Sequence, residues 1–144
     1  MIKLNRLTDY AVVALAQMAR QPARMRTATD LAQESGVPPP TVAKMLKALA
    51  SDGVLSSRRG ASGGYTLARD PESINMAEII GALEGPISLT ACVDGAEGVC
   101  GVEAICPMRG NWNKVNAAIR AALESVSLSD MAVEPRPFVA SGRA

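Results

Sequence analysis

Histidine is absent from this chain. Its absence removes the side chain most used for proton transfer near neutral pH and one of the two residue types that build most structural zinc sites. Aromatic residues are scarce, with Trp112, Tyr10, Tyr65 and Phe138 making up the whole set. A core must therefore be assembled from Leu, Ile, Val, Ala and Met, and a chain that is 48% hydrophobic over 144 residues has enough of these for one domain. No apolar run approaches the ~20 residues that span a bilayer. The opening "MIKLNRLTDYAVV" lacks the apolar stretch and small-residue cleavage site of a secretory signal, so the chain reads as cytoplasmic with no membrane partner. Cys-x-x-Cys pairs are also missing, which argues against a dithiol redox catalyst and against an ordinary zinc finger.

Net charge is only +1, but it is unevenly distributed. Residues 1–70 hold ten Lys or Arg against five Asp or Glu, whereas residues 71–144 hold five against nine. A basic first half points to a polyanionic partner, although a solvated charged surface would look the same.

The chain is read as a series of short helices. "TDYAVVALAQMAR" predicts a helix from Thr8 to Arg20, with Tyr10, Val13, Leu15 and Met18 apolar. "TATDLAQESGV" predicts a second, capped by Thr27 with Asp30 and ended by Gly36 in a left-handed conformation. In "PPPTVAKMLKALASDG" Pro40 suits the first helical position, with Pro38 and Pro39 extended before it. Val42, Met45, Leu46 and Leu49 make one buried face, opposite Thr41, Lys44, Lys47 and Ser51. Two helices joined by a tight Gly turn, the second basic outside, form a helix-turn-helix pattern. "GVLSSRRGASGGYTLARD" then predicts a hairpin from strands Val54–Ser57 and Tyr65–Ala68, with Arg58 and Arg59 entering its glycine-rich tip. The expected fold is mainly α with a small β-hairpin wing: a winged helix-turn-helix over residues 1–70.

The second half reads differently. "NMAEIIGALEG" predicts a helix capped by Asn75 with Glu78. A long helix is expected from Pro107, with Trp112, Val115, Ile119, Ala122 and Val126 forming an apolar seam. That seam would pack in a homodimer or fold back on its own domain. Residues 71–131 are thus expected to hold a cysteine loop and a long C-terminal dimerisation helix, and 132–144 a loose tail.

Cys92, Cys100 and Cys106 follow a C-x7-C-x5-C spacing within a loop rich in Gly, Asp and Glu. Thiolates prefer soft or borderline metals, and the wide spacing suits an iron–sulphur cluster better than zinc. Pro107 as the first helical residue would put Cys106 at a helix N-terminus, where the dipole favours thiolate. Three apolar core cysteines, or a thiol-only redox switch, are the alternatives. No fourth ligand is obvious among Asp9, Asp94, Glu97 and Glu103.

Taken together, "LTDYAV", "GVPPPTVAKMLKAL", "GVLSSRRGASGGYTLAR" and the cysteine triplet resemble the Rrf family of winged-helix regulators, of the IscR and NsrR type. "EGPISLTAC" and "CPMRGNW" look most like the regulators of SUF iron–sulphur assembly genes. The resemblance, from Met1 to about Met131, implies a homodimer that binds a palindromic operator in double-stranded DNA and holds a 2Fe–2S or 4Fe–4S cluster on Cys92, Cys100 and Cys106. In IscR-type members a His three residues past the last Cys completes the set, and Arg109 stands there instead. In NsrR-type members an Asp of the first helix, from the other subunit, is the fourth ligand, and Asp9 occupies the matching place. Asp9 equally suits a plain helix-start role. As a hard oxygen ligand, Asp9 would make the weakest corner of the cluster.

For DNA, Thr41 and Lys44 with Pro40 nearby are expected at the groove, Arg58 and Arg59 in the wing, and Lys47 on phosphate. Ala43 offers only a methyl contact, so part of the specificity falls to the wing or to DNA shape. The functional expectation is a cluster-sensing repressor of iron–sulphur assembly genes, with a nitric-oxide-sensing repressor or a cofactor-free thiol switch as alternatives. An enzyme is not expected, since neither His nor a redox Cys pair is present.

Overall fold

The computed structural model describes residues 2–134, so the expected tail lies largely outside the described residues, as does Phe138. Six α-helices and one hairpin follow in the order α1 (Arg6–Arg20), α2 (Ala28–Ser35), α3 (Pro39–Ser51), β1 (Leu55–Arg58), β2 (Gly64–Leu67), α4 (Met76–Glu84), α5 (Asn111–Glu124) and α6 (Leu128–Met131). Single 3-10 turns at Pro71–Ser73 and Glu103–Ile105 precede α4 and α5.

Local chemistry sets most of these ends. Asn5 caps α1, its side chain accepting the Thr8 N–H at 2.8 Å. Reciprocal capping boxes start α2 (Thr27 with Asp30) and α4 (Asn75 with Glu78), as the sequence predicts. Gly36 closes α2 at φ 72°, a left-handed conformation that costs glycine nothing.

Helix α3 begins one residue earlier than expected. Pro39, not Pro40, is its first residue, and only Pro38 is extended (φ −55°, ψ 135°). The first helical N–H groups have no partner within a helix, so two successive prolines lose no hydrogen bond there. The hairpin is likewise shifted by one residue, pairing Leu55 with Leu67 and Arg58 with Gly64.

Val42, Met45, Leu46 and Leu49 of α3 face Ala11, Ala14, Leu15 and Met18 of α1 and Leu31 of α2 in one buried cluster. Leu55 and Leu67 tie the hairpin to it, and Ile74, Met76, Ile79 and Leu128 extend it. Val13 is exposed, and the buried side of α1 is Thr8, Ala11, Ala14, Leu15 and Met18.

The last long helix departs most from expectation. It begins at Asn111, after Gly110 at φ 77°, and Pro107 lies in a turn. Cys106 therefore follows a 3-10 turn and does not sit at the N-terminus of α5. The helix also stops at Glu124, because Ser127 and Asp130 form a further capping box that starts α6. Between them the chain pairs with the entrance of α4, Met76 N–H donating to Val126 O (2.9 Å) and Leu128 N–H to Ile74 O (2.7 Å).

Candidate DNA-binding surface and cysteine loop

Helix α3 is sided as a recognition helix requires. Its apolar residues are buried, while Pro40, Ala43, Lys44, Lys47 and Ser51 are exposed and Thr41 is half-buried. Lys44 and Lys47 lie one turn apart, two cations on the same open face. In the wing, Leu55 is buried while Ser56, Ser57, Arg58 and Arg59 are exposed.

The wing is anchored through its glycines. A Cβ on Gly64 would stand 2.7 Å from the Arg26 carbonyl oxygen, and one on Gly63 would collide with the Arg58 carbonyl oxygen. Arg26 itself pairs with Tyr65 as a one-residue third strand. The Arg26 side chain, 4% exposed, sits against Glu34 of α2 with Nε and Oε2 3.0 Å apart, an ion pair whose angle falls short of a hydrogen bond. Arg24 approaches the same carboxylate at 3.4 Å.

Asp9, exposed in the first turn of α1, lines an open cleft with Lys3, Arg6 and Glu84. Beside it, the Thr8 hydroxyl donates to Glu84 Oε1 at 2.6 Å and the Asn5 N–H donates to the same oxygen at 3.0 Å. The start of α1 is thereby tied to the end of α4, immediately before the cysteine loop.

Cys92, Cys100 and Cys106 are free and half-buried, which sets aside a fully buried core role for them. They are not gathered: among the described residues no group of three or more Cys, Asp or Glu is close enough to hold a metal ion. The donor set nevertheless suits an iron–sulphur cluster, with three soft sulphur donors that no disulfide occupies among the described residues. In the loop Gly95 and Gly98 take positive φ, and Val99, Val102, Ile105 and Met108 are exposed around them. Arg109 pairs with Glu103 at 3.5 Å and supplies no ligand.

The apolar seam of α5 is divided. Ile119 and Leu123 are half-buried, with Leu123 against the core, whereas Trp112 and Val115 stay 39% and 44% exposed. Asn116 and Asn113 fasten the cysteine loop to α5, a role the apolar period of the helix does not reveal. Asn116 stands inside the helix and is a usable signal, because Asn is a poor residue for a helix interior unless its amide has a partner; Asn113 lies in the first turn and gives no such signal.

A family model described as "Iron-dependent Transcriptional regulator" (Rrf2) matches residues 4–134. The chain belongs to the Rrf2 family. It is 32% identical over 132 residues to the HTH-type transcriptional regulator IscR of Xenorhabdus nematophila, covering 90% of this chain and 79% of that one. The HTH-type transcriptional regulator NsrR of Bacillus subtilis is 26% identical over 131 residues, covering 90% of each chain. Among solved structures, CymR, the global cysteine regulator of B. subtilis, superposes with a TM-score of 0.71 at 26% identity, covering 94% of this chain and all of that one. The fold is thus a winged helix-turn-helix and the chain a DNA-binding transcriptional regulator rather than an enzyme. Among the described residues no helix is long and apolar enough to cross a membrane.

Proposed function

We propose that this regulator is a cytoplasmic repressor of iron–sulphur assembly genes of the SUF kind, its grip on DNA set by an iron–sulphur cluster. The observation that carries the reading is the placement of all three cysteines in one loop, between a helix that backs the recognition helix and a helix whose apolar side is open. Cys92, Cys100 and Cys106 would hold a 2Fe–2S or 4Fe–4S cluster as thiolates, with Asp9 of the second subunit as the fourth ligand. When bound, the cluster supplies iron whose oxidation or loss reports on iron, oxygen or nitric oxide.

The chain's own residues then do the regulating. Helix α4 packs on both α1 and α3, so a shift of the loop at Gly85 bears on the helix that backs the recognition helix. Residues 1–70 read DNA, with Pro40, Thr41 and Lys44 at the groove, Lys47 on phosphate, and Arg58 and Arg59 reaching from the wing. Residues 71–131 hold the cluster and dimerise through α5, which sets two recognition helices on a palindromic operator.

The test is anaerobic purification of wild type and Asp9→Ala, followed by visible absorption, iron and sulphide content, and operator binding with and without the cluster. Iron with sulphide, a more labile spectrum in the variant, and a cluster-dependent change in DNA affinity are expected. A wild type that stays colourless and iron-free after reconstitution overturns the sensor reading. The separation of the thiols, on a fold shared with a cysteine regulator, favours a cofactor-free thiol switch as second reading. In that case DNA affinity would follow thiol oxidation in iron-free protein. A nitric-oxide-sensing repressor would use the same ligands and differ in the signal that releases DNA.

A further inference from the structure

The cysteine loop is held unevenly. Asn116, 8% exposed on α5, accepts the Leu89 N–H at 3.0 Å and donates to the Ile87 carbonyl at 2.9 Å. One turn earlier, Asn113 accepts the Asp94 N–H at 2.9 Å and donates to Asp94 Oδ2 at 3.0 Å. Cys92 lies between these two anchors. Its Sγ is 3.2 Å from the Thr90 hydroxyl, and the neighbouring Val93 side chain is buried.

From Gly95 to Cys106 no hydrogen bond to α5 is found among the described residues. The backbone bonds that involve Cys100 and Cys106 are turn bonds within the loop, such as Glu103 N–H to Cys100 O (3.2 Å) and Arg109 N–H to Cys106 O (3.2 Å). Val99 and Ile105, 92% and 85% exposed, give this part of the loop no apolar anchor. One thiol therefore lies on a stretch bonded to α5 on both sides, and two are carried on a segment that bonds to itself.

We propose that Asn113 and Asn116 are positioning residues for Cys92. Helix α5 holds the first thiol in place before metal arrives, and Cys100 and Cys106 close onto it. The proposal rests on the cluster reading, and the same geometry makes α5 the element that feels whether the loop is closed. An outer partner that orients a ligand contributes about tenfold or more to metal affinity.

The test uses full-length protein and two readouts. In metal-free protein, iodoacetamide labelling followed by mass spectrometry gives the alkylation rate of each cysteine. Asn113→Ala, at a half-buried site, and Asn116→Ala should change the rate at Cys92 severalfold and leave Cys100 and Cys106 unaltered. In reconstituted protein, iron affinity measured in competition with a chelator should fall about tenfold in both variants. Exchanging the partners, Asn113→Asp together with Asp94→Asn, keeps an acceptor facing a donor and should restore both values. Equal changes at all three thiols, or none at Cys92, overturn the proposal whether or not the wild type binds iron. A selective change at Cys92 in a protein that never takes up iron upholds the positioning role and removes only the cluster reading.

Discussion

Arg26 and Tyr65 exchange two backbone hydrogen bonds, Arg26 N–H to Tyr65 O at 3.0 Å and Tyr65 N–H to Arg26 O at 2.8 Å. The exchange joins the segment entering the helix-turn-helix to the wing, so neither can be displaced alone. Gly64 leaves no space beside that exchange, since a Cβ there would stand 2.7 Å from the Arg26 carbonyl oxygen. Gly64→Ala should separate the two backbones and destabilise the fold by about 1–3 kcal/mol, as overpacking does. Urea unfolding measures the effect, and an unchanged midpoint would show that the two backbones part freely. Arg59→Ala, on an exposed side chain, should leave the midpoint in place.

The same Arg26 depends on Glu34. Glu34→Gln would leave a nearly buried guanidinium without its closest counter-charge. Removing one partner of a buried pair costs about 3–5 kcal/mol, and because Glu34 is partly exposed the expected loss is nearer ~2 kcal/mol. Replacing both residues, Arg26→Met with Glu34→Gln, should recover part of it. A double variant no more stable than Glu34→Gln alone would count against this account.

On DNA, the exposed cations should separate by what they touch. Lys47→Ala and Arg58→Ala should weaken binding to all sequences alike and lower the slope of log affinity against log salt by about 1 each. Thr41→Ala and Lys44→Ala should instead act at particular operator positions, at about 1–3 kcal/mol for each base no longer read. Fluorescence anisotropy over a salt series distinguishes the two behaviours. A salt slope in Arg58→Ala equal to that of the wild type would take the wing off the phosphate backbone.

What is legible in the sequence is mainly local. The Thr27–Asp30 and Asn75–Glu78 boxes are written in four consecutive residues, and the α3 stripe needs only its own period. Pro107 misleads because Gly110, three residues later, takes a left-handed turn and delays the helix. The Ser127–Asp130 box is spelled in "SLSD", yet a continuous apolar period through Val126 masks it. Arg26 cannot be recognised as buried from its neighbours, since its burial is created by Glu34 and by the wing, and the interior position of Asn116 signals a partner without saying that it is the loop stem at Ile87 and Leu89. The cysteine spacing suggests a shared site, yet among the described residues the thiols are not gathered into a group that could hold a metal ion, because spacing along the chain does not fix how the loop folds.

Acid should loosen α2 and α6 by a common cause. Asp30 lies below its ordinary value of 3.8 because its carboxylate accepts the Thr27 N–H, with the Thr27 hydroxyl contributing next. Asp130 is lowered in the same way by Ser127. A depressed folded value means that the stabilisation is complete above pH 3.8 and is lost as the pH falls through the lower folded value. Thermal midpoints between about pH 7 and about pH 3 should fall less steeply in Asp30→Asn than in wild type. Parallel curves would mean that the capping box is not held by charge.

Trp112 and Val115 lie on the open side of α5 while Asn116, the residue after Val115, faces inward to the cysteine loop. A large aromatic at the edge of an exposed apolar strip is the kind of residue that dominates an interface once covered. If a second copy covers it, Trp112→Ala should weaken self-association by at least ~2 kcal/mol, a ~30-fold rise in dissociation constant. Sedimentation should show the shift to monomer while circular dichroism keeps the helical content of the wild type. Operator binding should fall more steeply than half-site binding, because only the pair is fixed at the operator spacing. A variant that sediments as the wild type does would place the dimer contact elsewhere and leave the open face of α5 for a different partner.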